Sequence, residues 1–234
     1  METTEFSTSK IIKLALKDTF PVLTGYLVLG LGFGLMLKAA GYGIFVAFIM
    51  SLFIYAGSMQ YAAVGLLAGD APLITVALTT FTVNIRHLFY GVSMLEKYKN
   101  VGKIKPYLIF ALTDETYSLL CTDKPEIPLD KRSRYYFLVS FFDHMYWISG
   151  SVLGAFAGSV IKFNSDGIDF ALTALFLTIF TEQWLTSKNH VPAIIGLTVT
   201  ACSLAVFESE TFLIPAMLVI TLMFFFYKDK ETNG

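Results

Sequence analysis

The chain has 234 residues, of which 55% are hydrophobic and only 15% are charged, and its formal net charge is −1. Soluble domains carry about a quarter charged residues, so this composition predicts a polytopic membrane protein without an extramembrane module. The basic residues are spread over short loops and form no basic face, so we expect no nucleic-acid partner. The sequence has no Walker-type glycine loop, nucleophile elbow or HExxH motif, and we therefore expect neither direct use of ATP nor enzyme activity.

Eight apolar segments follow a polar lead-in over residues 1–19, which we expect to lie at the cytoplasmic membrane surface. A helix needs about 20 apolar residues to cross a bilayer. The sequence thus predicts an all-α integral membrane protein, a single transmembrane transport domain over residues 1–234 with roughly six to eight transmembrane or re-entrant helical segments. Residues 77–84 loosely echo residues 174–183, which would suit an inverted repeat. The segments are Phe20–Leu37, Ile44–Leu67, Leu73–Met94, Ile104–Cys121, Tyr135–Ile161, Phe170–Ser187, Val191–Phe207 and Phe212–Tyr227.

Two segments are interrupted by polar or small residues. Ile44–Leu67 contains Ala56-Gly57-Ser58-Met59-Gln60, and Ile104–Cys121 contains Asp114 and Glu115. Non-helical backbone at membrane depth is tolerated where it is buried in protein or lines a cavity, so we predict broken or re-entrant helices. If both segments are re-entrant, every strongly basic loop falls on the cytoplasmic side; if all eight cross, one basic loop falls outside. Either arrangement places both termini in the cytoplasm.

Glycines recur at intervals of four residues in two segments. Gly30 and Gly34 lie in the first, and Gly150, Gly154 and Gly158 lie in the fifth. Small residues at this spacing let helix backbones approach closely in lipid. We predict that they are packing stripes; a hinge or substrate-facing role is the alternative.

The most informative polar residues are Asn84-Ile85-Arg86-His87, inside the third segment. An arginine at membrane depth costs at least a few kcal/mol on insertion scales, so it needs partners or water and marks a candidate functional site. The alternative is that Arg86 and His87 lie near the end of the span and reach the headgroups.

Asp114 and Glu115 lie in the stretch Thr113-Asp114-Glu115-Thr116-Tyr117. Adjacent positions on a helix point about 100° apart, so the two acids cannot easily share one partner. We expect Asp114 to pair with Arg86 and Glu115 to titrate, because a buried acid without a cation is costly unless protonated. The alternative is that both acids cap a re-entrant turn near the cytoplasmic surface.

Several weaker polar features remain. Asp143-His144 and Glu182 lie in apolar segments and could relay protons, although single ionisable groups near helix ends are usually interfacial. Cys121 and Cys202 lie apart and without metal-site spacing, so we expect free thiols and neither a metal nor a cofactor.

Three blocks of this sequence resemble the signature blocks of the AzlC family: residues 53–60, residues 84–91 and residues 111–117. The resemblance extends from about Phe20 to Tyr227. It implies a multi-pass permease of a bacterial or archaeal cell (inner) membrane that exports valine, leucine, isoleucine and often methionine. It also implies a partner, a small hydrophobic membrane subunit of the AzlD kind.

We place the candidate site on the matching motif positions. Arginine suits a substrate carboxylate through its fork, and backbone groups freed by an unwound region at Ala56–Gln60 suit an ammonium. Proton coupling is assigned to Asp114 and Glu115, and Phe81 with two tyrosines is expected to line an apolar pocket. A permease for another small molecule and a passive channel stay open, and so do an intramembrane enzyme and a scaffold. The predicted substrate-binding residues are Gly57, Ser58, Gln60, Asn84, Arg86, His87, Tyr90 and Tyr117.

Overall fold

The structure is a computed structural model that describes residues 7–122, 124, 125, 127–160, 177, 180, 181, 184, 185, 189–207, 212, 215, 216, 218–220, 222 and 223. These residues contain helices and no strand, which confirms the all-α prediction for this part of the chain. One helix among them, Thr8–Ala39, is long and apolar enough by composition to cross a membrane. Segments Phe170–Ser187 and Phe212–Tyr227 lie largely outside the described residues, so the number of crossings and the inverted repeat stay predictions. The helices are α1 (Thr8–Ala39), α2 (Ile44–Phe53), α3 (Gly57–Ala68), α4 (Leu73–Ser93), α5 (Lys105–Phe110), α6 (Asp114–Cys121), α7 (Leu129–Val160) and α8 (Val191–Val206), with a 3₁₀ turn at Gly102–Ile104.

The chain divides into two compact units. The first comprises Met1–Pro72 and Val83–Ile168, and the second comprises Leu73–Thr82 and Asp169–Gly234. In the second unit α8 is largely exposed, and the rings of Trp184 and His190 stack with their centroids 4.3 Å apart. All the side chains that form the candidate site described below lie in the first unit.

Helices α1 and α7 pack closely because glycines face each other. A Cβ added at Gly30 would lie 2.9 Å from the Cα of Gly150, and one added at Gly150 would lie 2.7 Å from the carbonyl oxygen of Tyr26. Gly34 and Gly154 would likewise meet the backbone of the opposite helix. The prediction of glycine packing stripes is therefore confirmed for these positions.

Helix α1 begins within the predicted lead-in, and its first turns pack into a hydrophobic cluster. Ile11 and Ala15 are fully buried there. Asp18 forms an ion pair of 2.7 Å with Lys124 and accepts a hydrogen bond of 2.6 Å from the Tyr135 hydroxyl. The polar residues before the first apolar segment thus belong to the packed structure. The buried members of the cluster are Ile11, Ala15, Met94, Tyr98, Val101, Leu108, Leu112, Leu120, Ile127, Tyr135, Tyr136 and Val139.

Both interrupted segments are broken helices, as predicted. The first break lies between α2 and α3 at residues 54–56, and the second lies between α5 and α6 at residues 111–113. The first break is displaced from its predicted position, because Gly57, Ser58 and Gln60 already belong to α3. Within this break, the backbone of Tyr55 lies in the left-handed region, with φ of 43°. An aromatic residue in that region stores about 1–3 kcal/mol of strain.

The short helix α6 is held at both ends. At its start, the Thr113 hydroxyl accepts a hydrogen bond of 3.3 Å from the Thr116 backbone N–H. At its end, the Lys97 ammonium donates to the carbonyl oxygens of Leu120 and Cys121, at 3.1 Å and 2.5 Å. These contacts satisfy backbone groups that an isolated helix would leave open, and they fix where the acids of α6 lie.

Candidate functional site

Arg86 of α4 joins the starts of two broken helices. Its Nη2 lies 2.9 Å from Asp114 Oδ2, at the first residue of α6. The same nitrogen donates a hydrogen bond of 3.0 Å to the hydroxyl of Ser58, in the first turn of α3. The predicted pair of Arg86 with Asp114 is thus present, and Arg86 has partners within the protein instead of only headgroups. The side chains of the pair are 39% and 37% exposed, so both remain accessible.

Three polar atoms around this pair lack hydrogen-bond partners among the described residues: Arg86 Nε, Asp114 Oδ1 and Asn84 Oδ1. Unsatisfied buried polar atoms are rare in proteins and call for an explanation such as a ligand or water. One of the three is a donor on a cation, and two are acceptors. This set is complementary to a zwitterion, which carries a carboxylate and an ammonium group.

An aromatic surface adjoins the ion pair. The rings of Tyr90 and Tyr117 stack in parallel with centroids 4.5 Å apart, and the Tyr117 hydroxyl accepts a hydrogen bond of 3.0 Å from Ser93. His87 contacts Tyr90 edge to face, and its Nδ1 lies 3.1 Å from the Asn84 carbonyl oxygen on its own helix. Phe81, the third predicted aromatic, belongs to the other compact unit.

Gly57 and Gln60 of α3 pack against Trp147 of α7. The carbonyl oxygen of the buried Gln60 side chain accepts a hydrogen bond of 2.8 Å from Trp147 Nε1 on α7, and its amide donates to the Ser51 hydroxyl at 3.3 Å. Gly57 faces the same ring, because an added Cβ would lie 3.2 Å from the Trp147 indole. Gln60 therefore makes a structural contact with a neighbouring helix, although the sequence predicts it as a substrate-binding residue. Its amide is not open to a ligand in this conformation.

Glu115 and Asp143 make hydrogen bonds that do not involve Arg86. Tyr26 of α1 donates a hydrogen bond of 2.7 Å to Glu115 Oε2, and Thr116 donates one of 2.8 Å to Asp143 Oδ2. Asp114 and Glu115 thus have different partners, as their adjacent positions predict. Asp143 is fully buried and His144 nearly so, although in the sequence they are weaker candidates than Asp114 and Glu115. Glu182 lies outside the described residues.

Sequence reasoning did not predict the contributions of Tyr26, Tyr55 and Trp147. The Tyr55 ring stacks on His144 with centroids 4.2 Å apart, and Tyr26 meets Trp147 edge to face. Aromatic residues are too frequent in this sequence for their positions alone to indicate a site. Cys121 and Cys202 are free thiols, as predicted, and no cluster of metal-ligating side chains occurs in the part of the chain that the structure describes.

Comparison with known proteins links this arrangement to one family. The family described as AzlC protein matches residues 21–161. The chain is 42% identical over 202 residues to the branched-chain amino acid transport protein AzlC of Bacillus subtilis, a match that covers 86% of this chain and 79% of that protein. It is 39% identical over 220 residues to an uncharacterized membrane protein of Helicobacter pylori, covering 92% and 96%. It is 27% identical over 173 residues to the inner membrane protein YgaZ of Escherichia coli, covering 73% and 71%. No solved structure matches the chain.

Proposed function

Because this chain belongs to the AzlC family, we propose that it is the large subunit of a secondary transporter that exports branched-chain amino acids across the cell membrane. Valine, leucine and isoleucine are the proposed substrates, with methionine as a further one. The carrying observation is the accessible Arg86–Asp114 pair surrounded by unpaired polar atoms. The relative from Bacillus subtilis, named as a branched-chain amino acid transport protein, supports the substrate class.

In the proposed binding mode, the substrate inserts between Arg86 and Asp114. The substrate carboxylate accepts hydrogen bonds from the Arg86 guanidinium. The unpaired Nε lies beside Nη2, so the two nitrogens can make a bidentate contact. The substrate ammonium takes Asp114 together with the side-chain oxygen of Asn84. The substrate ammonium replaces the guanidinium as the partner of Asp114, and the substrate carboxylate replaces Asp114 as the partner of Arg86. The bound zwitterion therefore adds no net charge to the site. The three unpaired atoms thereby acquire partners.

The aliphatic side chain of the substrate packs against the stacked rings of Tyr90 and Tyr117. An apolar surface of this kind separates substrates by only about 1–3 kcal/mol per methylene group. Transport should therefore discriminate modestly among leucine, valine and methionine. Ser58 and His87 border the pocket, whereas Gly57 and Gln60 hold α3 against Trp147.

We further propose that export is coupled to protons, that both termini are cytoplasmic and that a small hydrophobic AzlD-like subunit completes the transporter. Protonation of an acid near the site would bias its exposure to one side of the membrane. The small subunit is proposed from the family resemblance and is a separate chain. Residues 1–234 act as one transport domain in this proposal, although they divide into two compact units.

The test is efflux of preloaded radiolabelled leucine, valine and methionine from cells that express the chain with and without its candidate small subunit, at two external pH values. Export that needs both subunits and responds to external pH supports the proposed substrates, the small subunit and the coupling to protons. A passive channel would be indicated if the efflux rate is the same at both pH values and if efflux stops when the substrate concentrations inside and outside are equal. No efflux of any of the three, with both proteins confirmed in the membrane, would reject the proposed substrates and favour a permease for another small molecule.

A further inference from the structure

Asp143 is a buried acid that the proposed binding mode does not use. Its side chain is fully buried in α7, Oδ2 accepts the hydrogen bond from Thr116, and Oδ1 has no hydrogen-bond partner among the residues that the structure describes. No lysine or arginine among the described residues forms an ion pair with it. A buried acid without a cation is costly as an ion, and such groups in membrane proteins mark proton or ion pathways.

A continuous row of hydroxyl groups links Asp143 to Glu115. From Asp143 Oδ2, the Thr116 hydroxyl lies at 2.8 Å and the Thr113 hydroxyl lies 3.1 Å further on. Tyr26 OH follows at 2.7 Å, and Glu115 Oε2 follows at another 2.7 Å. Every separation is within the range of O–H···O hydrogen bonds, apart from the slightly long threonine link. We call these three hydroxyl groups with the two carboxyl groups the hydroxyl chain.

The hydroxyl chain is one proton short when both acids are ionised. Four links need four protons, but the three hydroxyls supply only three. With Tyr26 donating to Glu115, and with the two threonines donating toward Asp143, no proton remains for the link between Tyr26 and Thr113. That link is nevertheless only 2.7 Å long, the distance of a made hydrogen bond. One proton on either carboxyl group completes all four links.

We propose that Asp143 and Glu115 share a single transferable proton through the hydroxyl chain, with Asp143 as its buried position. In the transfer, the O–H bond of one carboxyl group breaks and one forms at the other. Each hydroxyl passes its proton onward and accepts another, so all four hydrogen bonds reverse direction and the negative charge moves to the opposite acid. This inference rests on the proposed function, since it names the residues that would couple export to protons.

The surroundings favour coupling to the substrate site. Glu115 follows Asp114 directly at the start of α6, so the Glu115 end of the hydroxyl chain adjoins the proposed substrate site. His144 takes no part, since its ring nitrogens lie 3.1 Å from the Ser51 carbonyl oxygen and 3.3 Å from the Tyr107 hydroxyl. The titratable groups that act on Asp143 and Tyr26 from the neighbouring elements are Glu115, Tyr55 and Tyr107.

Infrared difference spectroscopy on the purified full chain, with its small subunit, in lipid bilayers tests the shared proton without any substrate. Wild type should show the carbonyl stretch of one protonated carboxyl group that is lost in Asp143→Asn and equally lost in Glu115→Gln. The side-chain amide introduced by Asp143→Asn or by Glu115→Gln donates the hydrogen bond that the carboxyl proton donates in wild type. The other acid then stays ionised and gives no such band. The double variant should lose no further band. Two independent bands whose losses add, or no loss in either variant, would overturn the proposal.

Transport by Thr116 variants gives a second readout that leaves the acids in place. Thr116→Val keeps the branched shape and interrupts the hydroxyl chain, whereas Thr116→Ser keeps the hydroxyl and is the matched control. Leucine exchange, which needs no net proton movement, should persist in both variants, while uphill export driven by a proton gradient should be lost only in Thr116→Val. Proton-driven export by Thr116→Val at the wild-type rate would overturn the proposal. Absence of leucine exchange in wild type would instead reject the proposed substrate, and the infrared result would still decide on the shared proton.

Discussion

Replacing Arg86 by glutamine should separate substrate binding from folding. Both observed contacts of the guanidinium come from Nη2, to Asp114 and to Ser58. The paired side chains are each more than a third exposed, so solvent screens the ion pair and its contribution to folding is at most about 1 kcal/mol. Arg86→Gln should therefore leave the folded state in place, with an unfolding free energy within that range of wild type.

Its effect on leucine binding should be much larger. A hydrogen bond to a charged group contributes about 1.5–3 kcal/mol, and each 1.4 kcal/mol is about tenfold in affinity. Losing the guanidinium contact to the substrate carboxylate should thus weaken leucine binding about tenfold to a hundredfold, and more if both contacts of a bidentate pair are lost.

The assay is equilibrium binding of radiolabelled leucine to the purified transporter, with thermal unfolding measured on the same preparation. Lys131→Gln is the matched control, because Lys131 pairs with Asp130 at 3.4 Å on the surface, away from the site. It should change neither quantity. Leucine affinity of Arg86→Gln within about twofold of wild type would refute the assignment of Arg86 as the substrate anchor. A variant that unfolds would show instead that the pair is structural.

Three further substitutions test the packing and the pocket. Gly30→Ala should lower the melting temperature, since the added Cβ would lie 2.9 Å from a backbone carbon of α7 and overpacking costs about 1–3 kcal/mol. Gly25→Ala on the same helix meets nothing within 4 Å, and equal melting of the two variants would contradict the close packing. Tyr117→Ala should weaken leucine binding because the aromatic stack is lost, whereas Tyr117→Phe should bind nearly as wild type; equal losses would argue against an apolar contact. Asp18→Asn should lower the unfolding free energy by about 1 kcal/mol or more, and Asp130→Asn, at an exposed pair, should not; equal effects would indicate that burial of the Asp18 ion pair does not matter.

The sequence predicts the broken helices and the glycine contacts well because both depend on local composition. Polar residues within an apolar segment mark a break, and glycines four residues apart mark a close helix contact. The exact break is harder to predict, since flexibility suggests Gly57 whereas the structure unwinds before it, at Tyr55. Gly57 has another role, because its missing side chain makes room for Trp147. That reason becomes visible only when α3 and α7 are placed together.

The Arg86–Asp114 pair could be predicted because charge neutrality at membrane depth leaves few candidate partners. The hydroxyl chain could not. Tyr26 reaches Thr113 and Glu115 across more than eighty positions of sequence, and nothing in its local pattern distinguishes it from the other tyrosines. Asp143 is a weak candidate in the sequence for the same reason, because its burial results from the packing of α7 against α1 and α6. The roles assigned to all these residues stay predictions until the variants are measured.

The contact between α1 and α7 also sets which parts of the molecule can slide. Sliding by one residue moves a helix about 1.5 Å along its axis. It would place a side chain at the contact of Gly30 with Gly150, where there is room only for the hydrogen atom of a glycine. The two helices therefore cannot slide along each other and keep a fixed register. Any conformational change of the protein has to move α1 and α7 together as one body.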